Sequence, residues 1–268
     1  MATAPSNNLP LFYKDLMPLN SRDHEKWRAR SLDNAKWLVG QHAVPITVDE
    51  FLLAQRHFPI VFSAGDNPVP LALMGLNEGI NVFIDAKGKL TGDIYVPAYI
   101  RRYPFLLARL QQGSDQMSLC FDPTTPMLGE YKDGEALFEN GEPSEFVKSV
   151  MQFCENFEMA GQRTQSFINE LKEHGLLMDG EVAIQRNDAQ EGAPPFVYRG
   201  FQIVNQDKFV ETPAAQLEKW LKSGLLMLIF AHTMSLDLMR VIFAMQTAQG
   251  KGPGAEAEKA EKPKKTKR

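Results

Sequence analysis

Apolar positions fall into two regimes along this chain. Up to about residue 122 they come in short runs separated by Gly, Pro and Asn/Asp clusters: Leu11–Leu19, Ile60–Ser63, Val69–Leu76, Ile80–Asp85, Phe105–Ala108 and Met117–Asp122. Runs of that length between turn residues predict strands. From residue 145 the spacing changes. Phe146, Val150, Phe153 and Phe157, then Phe167, Ile168 and Leu171, recur at helical intervals, predicting a helix over 145–174, continuous or broken at Gly161. Ser144 is its N-cap and Gly175 its C′ residue. Leu225–Met245 predicts a last, mostly buried helix, with Gly224 breaking it from a helix over 214–222.

Local punctuation refines this pattern. Thr47 and Glu50 form a capping box for a helix that Pro59 stops. Val96-Pro97 starts a short helix that must end before Pro104, because the residue preceding proline is pushed out of the α region. Asn77-Glu-Gly79 predicts a hairpin between 69–76 and 80–85, and Asp85–Lys89 a second turn. Residues 60–122 then read as one mainly antiparallel sheet carrying a small helix. Phe196–Val204 predicts a strand that pairs with Lys208–Val210, while the type of Asp23–Trp37 stays open. The fold class expected is α+β: mainly antiparallel sheet with short helices in the N-terminal half, and a helical C-terminal half with a small hairpin. Residues 11–250 are expected to form one domain, with a possible sub-division near 123–143. Residues 1–10 are expected to be flexible.

Charge is unevenly placed. The chain carries a net −4 overall, yet Lys251–Arg268 holds seven Lys/Arg against three Glu, a net of 7 − 3 = +4, leaving −4 − 4 = −8 on residues 1–250. An acidic body argues against nucleic acid as a partner of the folded part. The tail lacks large apolar residues and is expected to be disordered; it is a solubilising tail, or a tether to anionic lipid or nucleic acid. Cys120 and Cys154 sit in apolar runs, where free cysteine behaves as a small hydrophobe. The N-terminus has no basic and apolar leader pattern, so the expected location is cytoplasmic. No transmembrane segment is expected, since Asp237 and Arg240 interrupt the one strongly apolar run.

Several stretches together resemble one family. Phe12–Asn20, His42-Ala-Val-Pro45, Phe58–Phe62, Val96–Phe105 and Ala231–Leu236 are similar to the bacterial SapC family, across about residues 11–245. The resemblance implies a fold and an association with a paracrystalline surface layer, which makes the cell surface the alternative location. It implies no catalytic residues.

Sequence motifs for chemistry are absent: there is no G-x-S-x-G, no Walker-type phosphate loop, no G-x-G-x-x-G and no H-E-x-x-H. The five histidines are scattered, so no metal and no cofactor are expected. His232, on an apolar helix face, reads as a hydrogen-bonded core histidine. The sharpest feature is Tyr99-Ile-Arg101-Arg102-Tyr103. Helix neighbours diverge by about 100°, so one arginine faces inward, to an internal carboxylate such as Asp85, Asp93 or Asp122, and the other outward. Arginine's forked donors suit carboxylate or phosphate. Tyr99, Arg101, Arg102, Tyr103 and Asp122 are therefore the candidate ligand-binding residues, against a purely structural salt bridge with packed tyrosines. The favoured reading is a non-enzymatic binding or assembly protein, a homodimer through the C-terminal helix or a partner of another protein. The alternative is an enzyme or accessory factor binding a small anion near Arg101-Arg102.

Overall fold

The computed structural model describes residues 9–110, 116–185 and 194–252. The N-terminal eight residues and all but the first two residues of the basic tail lie outside that set. Lys251 itself is held: its backbone carbonyl accepts from Gln246 Nε2 at 3.0 Å, and its Nζ donates to the Asn81 carbonyl at 3.2 Å.

The fold is α+β, with a long helix, Glu145–Glu173, lying against two antiparallel sheets. Ser144 caps it by accepting from the Val147 N–H, and Gly175, at φ 61°, ends it. Gly161 does not break it. The helix is continuous across that position, and the space beside the missing Cβ is empty.

The expected single sheet over 60–122 is in fact two. Ile60–Ser63 pairs with Pro70–Leu73, which pairs on its other side with Ala43–Pro45. The free side of Ile60–Ser63 is covered by Phe201–Val204, and that strand by Leu177–Asp179. Phe105–Arg109 instead pairs with Met117–Phe121, whose far edge takes Met17–Pro18. The short helix Ala98–Arg102 and the cis Tyr103–Pro104 bond turn the chain from one sheet to the other. A third, small sheet joins Arg28–Ala29 to Leu128–Gly129 and Glu135–Ala136, giving the 123–143 region short strands.

Other differences have local causes. The 69–76/80–85 hairpin reduces to one backbone bond, Val82 N–H to the Met74 carbonyl. Pro70–Leu73 already has neighbours on both sides, and the chain doubles back so tightly that a Cβ on Gly75 would overlap the Ile80 carbonyl oxygen. Residues 206–210 form a helical turn, not a strand, because Asn205 accepts from the Lys208 N–H. Phe196–Val204 is split at Gly200 (φ 93°) into two strands with different partners. Only Met17–Pro18 of the first apolar run is extended into a sheet. Asp23–Trp37 resolves into a helical turn, a two-residue strand and a 3-10 turn.

The main core gathers Phe51, Phe58, Ile60, Phe62, Ile168, Leu171 and Trp220 between the five-stranded sheet and the helices. The C-terminal helices Leu225–Ser235 and Leu238–Ala248 close it from one side. His232 lies there fully buried, its Nδ1 2.8 Å from the Ile60 carbonyl and its Nε2 accepting from the Val204 N–H at 3.1 Å. It clamps two adjacent strands. Burial pushes its pKa down to about 4, partly offset by the Ile60 bond. The neutral tautomer is the one that makes both bonds.

Candidate functional site

The five candidate residues separate into two groups. Arg102 points inward, is buried, and lies with its guanidinium carbon 4.9 Å from the Tyr99 ring centre and 4.3 Å from that of Phe157. Its ion pair is with Glu158 of the long helix at 3.4 Å, not with Asp85, Asp93 or Asp122. Tyr99 and Tyr103 both pack edge-on against Phe12 of the chain itself, with ring centres 5.5 and 6.3 Å away. Phe12 adopts φ 81°, a region that costs a bulky side chain free energy.

Asp122 completes this knot. It is fully buried and accepts from the Lys14 and Thr124 N–H groups at 2.9 and 2.8 Å, from the Thr124 hydroxyl at 2.7 Å and from the Tyr103 hydroxyl at 3.4 Å. Tyr13 donates to the Phe105 carbonyl at 2.6 Å, and burial raises its pKa, with nearby Arg102 acting in the opposite sense. Burial, then Asp122, raises that of Tyr103. Tyr99, Arg102, Tyr103 and Asp122 thus fasten the N-terminal segment to the second sheet.

Arg101 points the other way. It is exposed and its Nε donates to the Val96 carbonyl at 3.0 Å, with Nη2 3.3 Å from the Tyr95 hydroxyl. Its guanidinium carbon lies 5.2 Å from the Phe153 ring centre. Among the described residues no carboxylate pairs with it. Together with Tyr103 it lines a cleft of about 640 Å³ between the small Arg28–Ala29 sheet and the start of the long helix. Phe105, Met127, Phe146 and Val150 provide apolar lining, and Arg30, Asp133 and Glu135 polar groups. Arg30 pairs with Asp133 and stacks 3.8 Å over Tyr131, while its buried Nε has no hydrogen-bond partner.

Behind the short helix stands Glu50. Its Oε2 accepts from the Thr47 N–H and hydroxyl, both at 2.9 Å, and its Oε1 from the Tyr95 hydroxyl at 3.0 Å and the Ala98 N–H at 2.6 Å. The capping box is therefore also the anchor for the first turn of Ala98–Arg102. Burial, then Glu50, pushes the Tyr95 hydroxyl up to about 12.

A second surface lies at the other end of the chain. Leu225–Ala248 is long and apolar enough to cross a membrane, yet only a third of its most apolar stretch is buried. The expectation of a mostly buried helix is thus corrected. His232, Ser235 and Gln246 tie one side to backbone groups of Ile60, Val204 and Leu76. The opposite side exposes Met227, Phe230, Met234 and Val241.

A family model described as SapC matches residues 19–242. The chain belongs to the SapC family. No curated protein and no solved structure matches it. The stretch Val96–Phe105 that carries the resemblance to SapC is the one that turns the chain between its two main sheets and presents Arg101. Arg30, Glu50, Asp133 and Glu158 complete these arrangements without any sequence motif of their own, apart from the capping box that contains Glu50.

Proposed function

We propose that this SapC-family chain is a non-enzymatic assembly protein, that it pairs with a second copy through the outward face of its C-terminal helices, and that it serves a bacterial surface-layer system. The observation that carries the reading is the exposed row Met227, Phe230, Met234 and Val241. Their spacing puts them on one side of the two consecutive helices, Met227, Phe230 and Met234 on the first and Val241 on the second, over roughly 20 Å at 1.5 Å per residue. Scattered exposed apolar residues need no explanation, but four aligned on one face, two of them bracketing a charged pair, fit an interface.

The middle of the row favours a second copy. Asp237 and Arg240 are exposed, one turn apart and opposite in sign. Among the described residues neither has a salt-bridge partner. A two-fold axis between them sets each against its opposite in the other copy, since an isologous interface repeats every contact twice. The small Ala244, also exposed, leaves room for the other copy's Met234.

Sedimentation equilibrium tests this. The expected result is a concentration-dependent dimer that Met234→Glu abolishes. Asp237→Arg and Arg240→Asp should each be monomeric alone and should form a heterodimer when mixed, because the mixture restores both charge pairs. A chain that stays monomeric at all concentrations, or binds lipid vesicles through this face as a monomer, would overturn the proposal.

A further inference from the structure

We infer that the cleft beside Arg101 is a binding site for an amphipathic anion, a molecule with an apolar body and a carboxylate or similar head group. The inference is independent of self-association, which uses the other end of the chain.

Size is the first argument. A cleft of about 640 Å³ falls within the roughly 300–1,000 Å³ range of small-molecule sites, which are mostly apolar with a few placed polar groups. Phe105, Met127, Phe146 and Val150 are the apolar part, contributed by three separate segments of chain. These side chains belong to a packed cluster of their own, so the wall is held in place by Phe121, Leu137 and Cys154 behind it.

Charge is the second argument. Arg30 is neutralised by Asp133, whereas Arg101 has no carboxylate partner among the described residues. Arg101 is also oriented. Its Nε is fixed to the Val96 carbonyl and its Nη2 to Tyr95, which leaves Nη1 as a donor for a ligand. A positioned, uncompensated guanidinium recognises a carboxylate or phosphate better than a free lysine does. Glu135, the remaining carboxylate of the lining, stands on the small sheet and Arg101 in the last turn of the short helix, with no ion pair between them. A neutral apolar ligand would leave Arg101 unused, and a cationic one would oppose it.

The test compares three ligands with the same twelve-carbon body, each kept below its micelle concentration: dodecanoate, dodecanol and dodecyltrimethylammonium. Isothermal titration calorimetry on the full chain gives affinity. Tryptophan fluorescence is a second readout, since Trp37 lies with its ring centre 4.9 Å from that of Tyr103 and Trp27 packs against the cluster behind the wall. Dodecanoate should bind at least tenfold tighter than dodecanol, and the ammonium compound most weakly. Arg101→Gln, a change at an exposed position, should erase the difference between acid and alcohol while leaving alcohol binding intact. Val150→Trp should block all three. Near-ultraviolet circular dichroism checks that each variant is folded. Equal affinity for acid and alcohol, an unchanged preference in Arg101→Gln, or binding that Met234→Glu removes and Val150→Trp does not, would each overturn the inference. So would binding to anionic vesicles without binding to free dodecanoate, which would place the anion on a membrane surface.

Discussion

Removing the Glu50 carboxylate tests how the short helix is held. Glu50→Ala deletes an acceptor that serves four donors: the Thr47 N–H and hydroxyl, the Tyr95 hydroxyl and the Ala98 N–H. The Tyr95 hydroxyl is only half-buried and can turn to water, and the Thr47 hydroxyl can rotate. The two backbone N–H groups cannot. Each buried, orphaned donor costs about 1–3 kcal/mol, so the loss should be about 3–5 kcal/mol once the small void is included. Glu50→Gln keeps the shape and one carbonyl but turns an NH₂ toward one pair of donors, so it should cost less. Urea unfolding followed by circular dichroism measures both, and the midpoint should fall with an unchanged slope. A loss below about 1 kcal/mol for Glu50→Ala would refute the reasoning, as would Gln being the worse substitution.

Three further outcomes follow from the same contacts. His232 is held near pKa 4, below the unfolded value of 6.5, so the unfolded state binds the extra proton between those pH values. Its contribution is therefore fully present above pH 6.5 and lost as pH falls toward 4, about 3 kcal/mol in all; His232→Gln should flatten the pH slope of stability in that window. Asp122→Ala should orphan the Lys14 and Thr124 N–H groups and release the N-terminal segment, seen as faster tryptic cleavage after Lys14 under native conditions. Burial pushes the Cys120 and Cys154 thiols up to about 11, so a thiol-specific reagent at pH 8 should label neither until denaturant is added; prompt labelling of the native chain would contradict that packing.

Elements set by local chemistry were legible in the residues themselves. Ser144 and Gly175 bounded the long helix, and Pro97 and Pro104 bounded the short one. His232 read correctly as a core histidine because an apolar helix face offers it only backbone partners. What the sequence hid was pairing between distant segments. Nothing near Ile60–Ser63 announces that its outer neighbour arrives from Phe201–Val204. The two-arginine argument correctly sent one side chain inward, yet its counter-ion, Glu158, lay on a helix whose angle no periodicity specifies. The cleft was missed for the same reason, since Arg30 and Val150 are neighbours only after two sheets and a helix have packed.

The order of strands in the five-stranded sheet has a bearing on synthesis. Ile60–Ser63 sits between a strand made early and one made some 140 residues later. A growing chain that has emerged only as far as the long helix therefore presents an open sheet edge over a row of uncovered large apolar side chains. Productive closure has to wait for the second half, so any stalled or clipped fragment ending before residue 201 should aggregate and not persist as a smaller native unit.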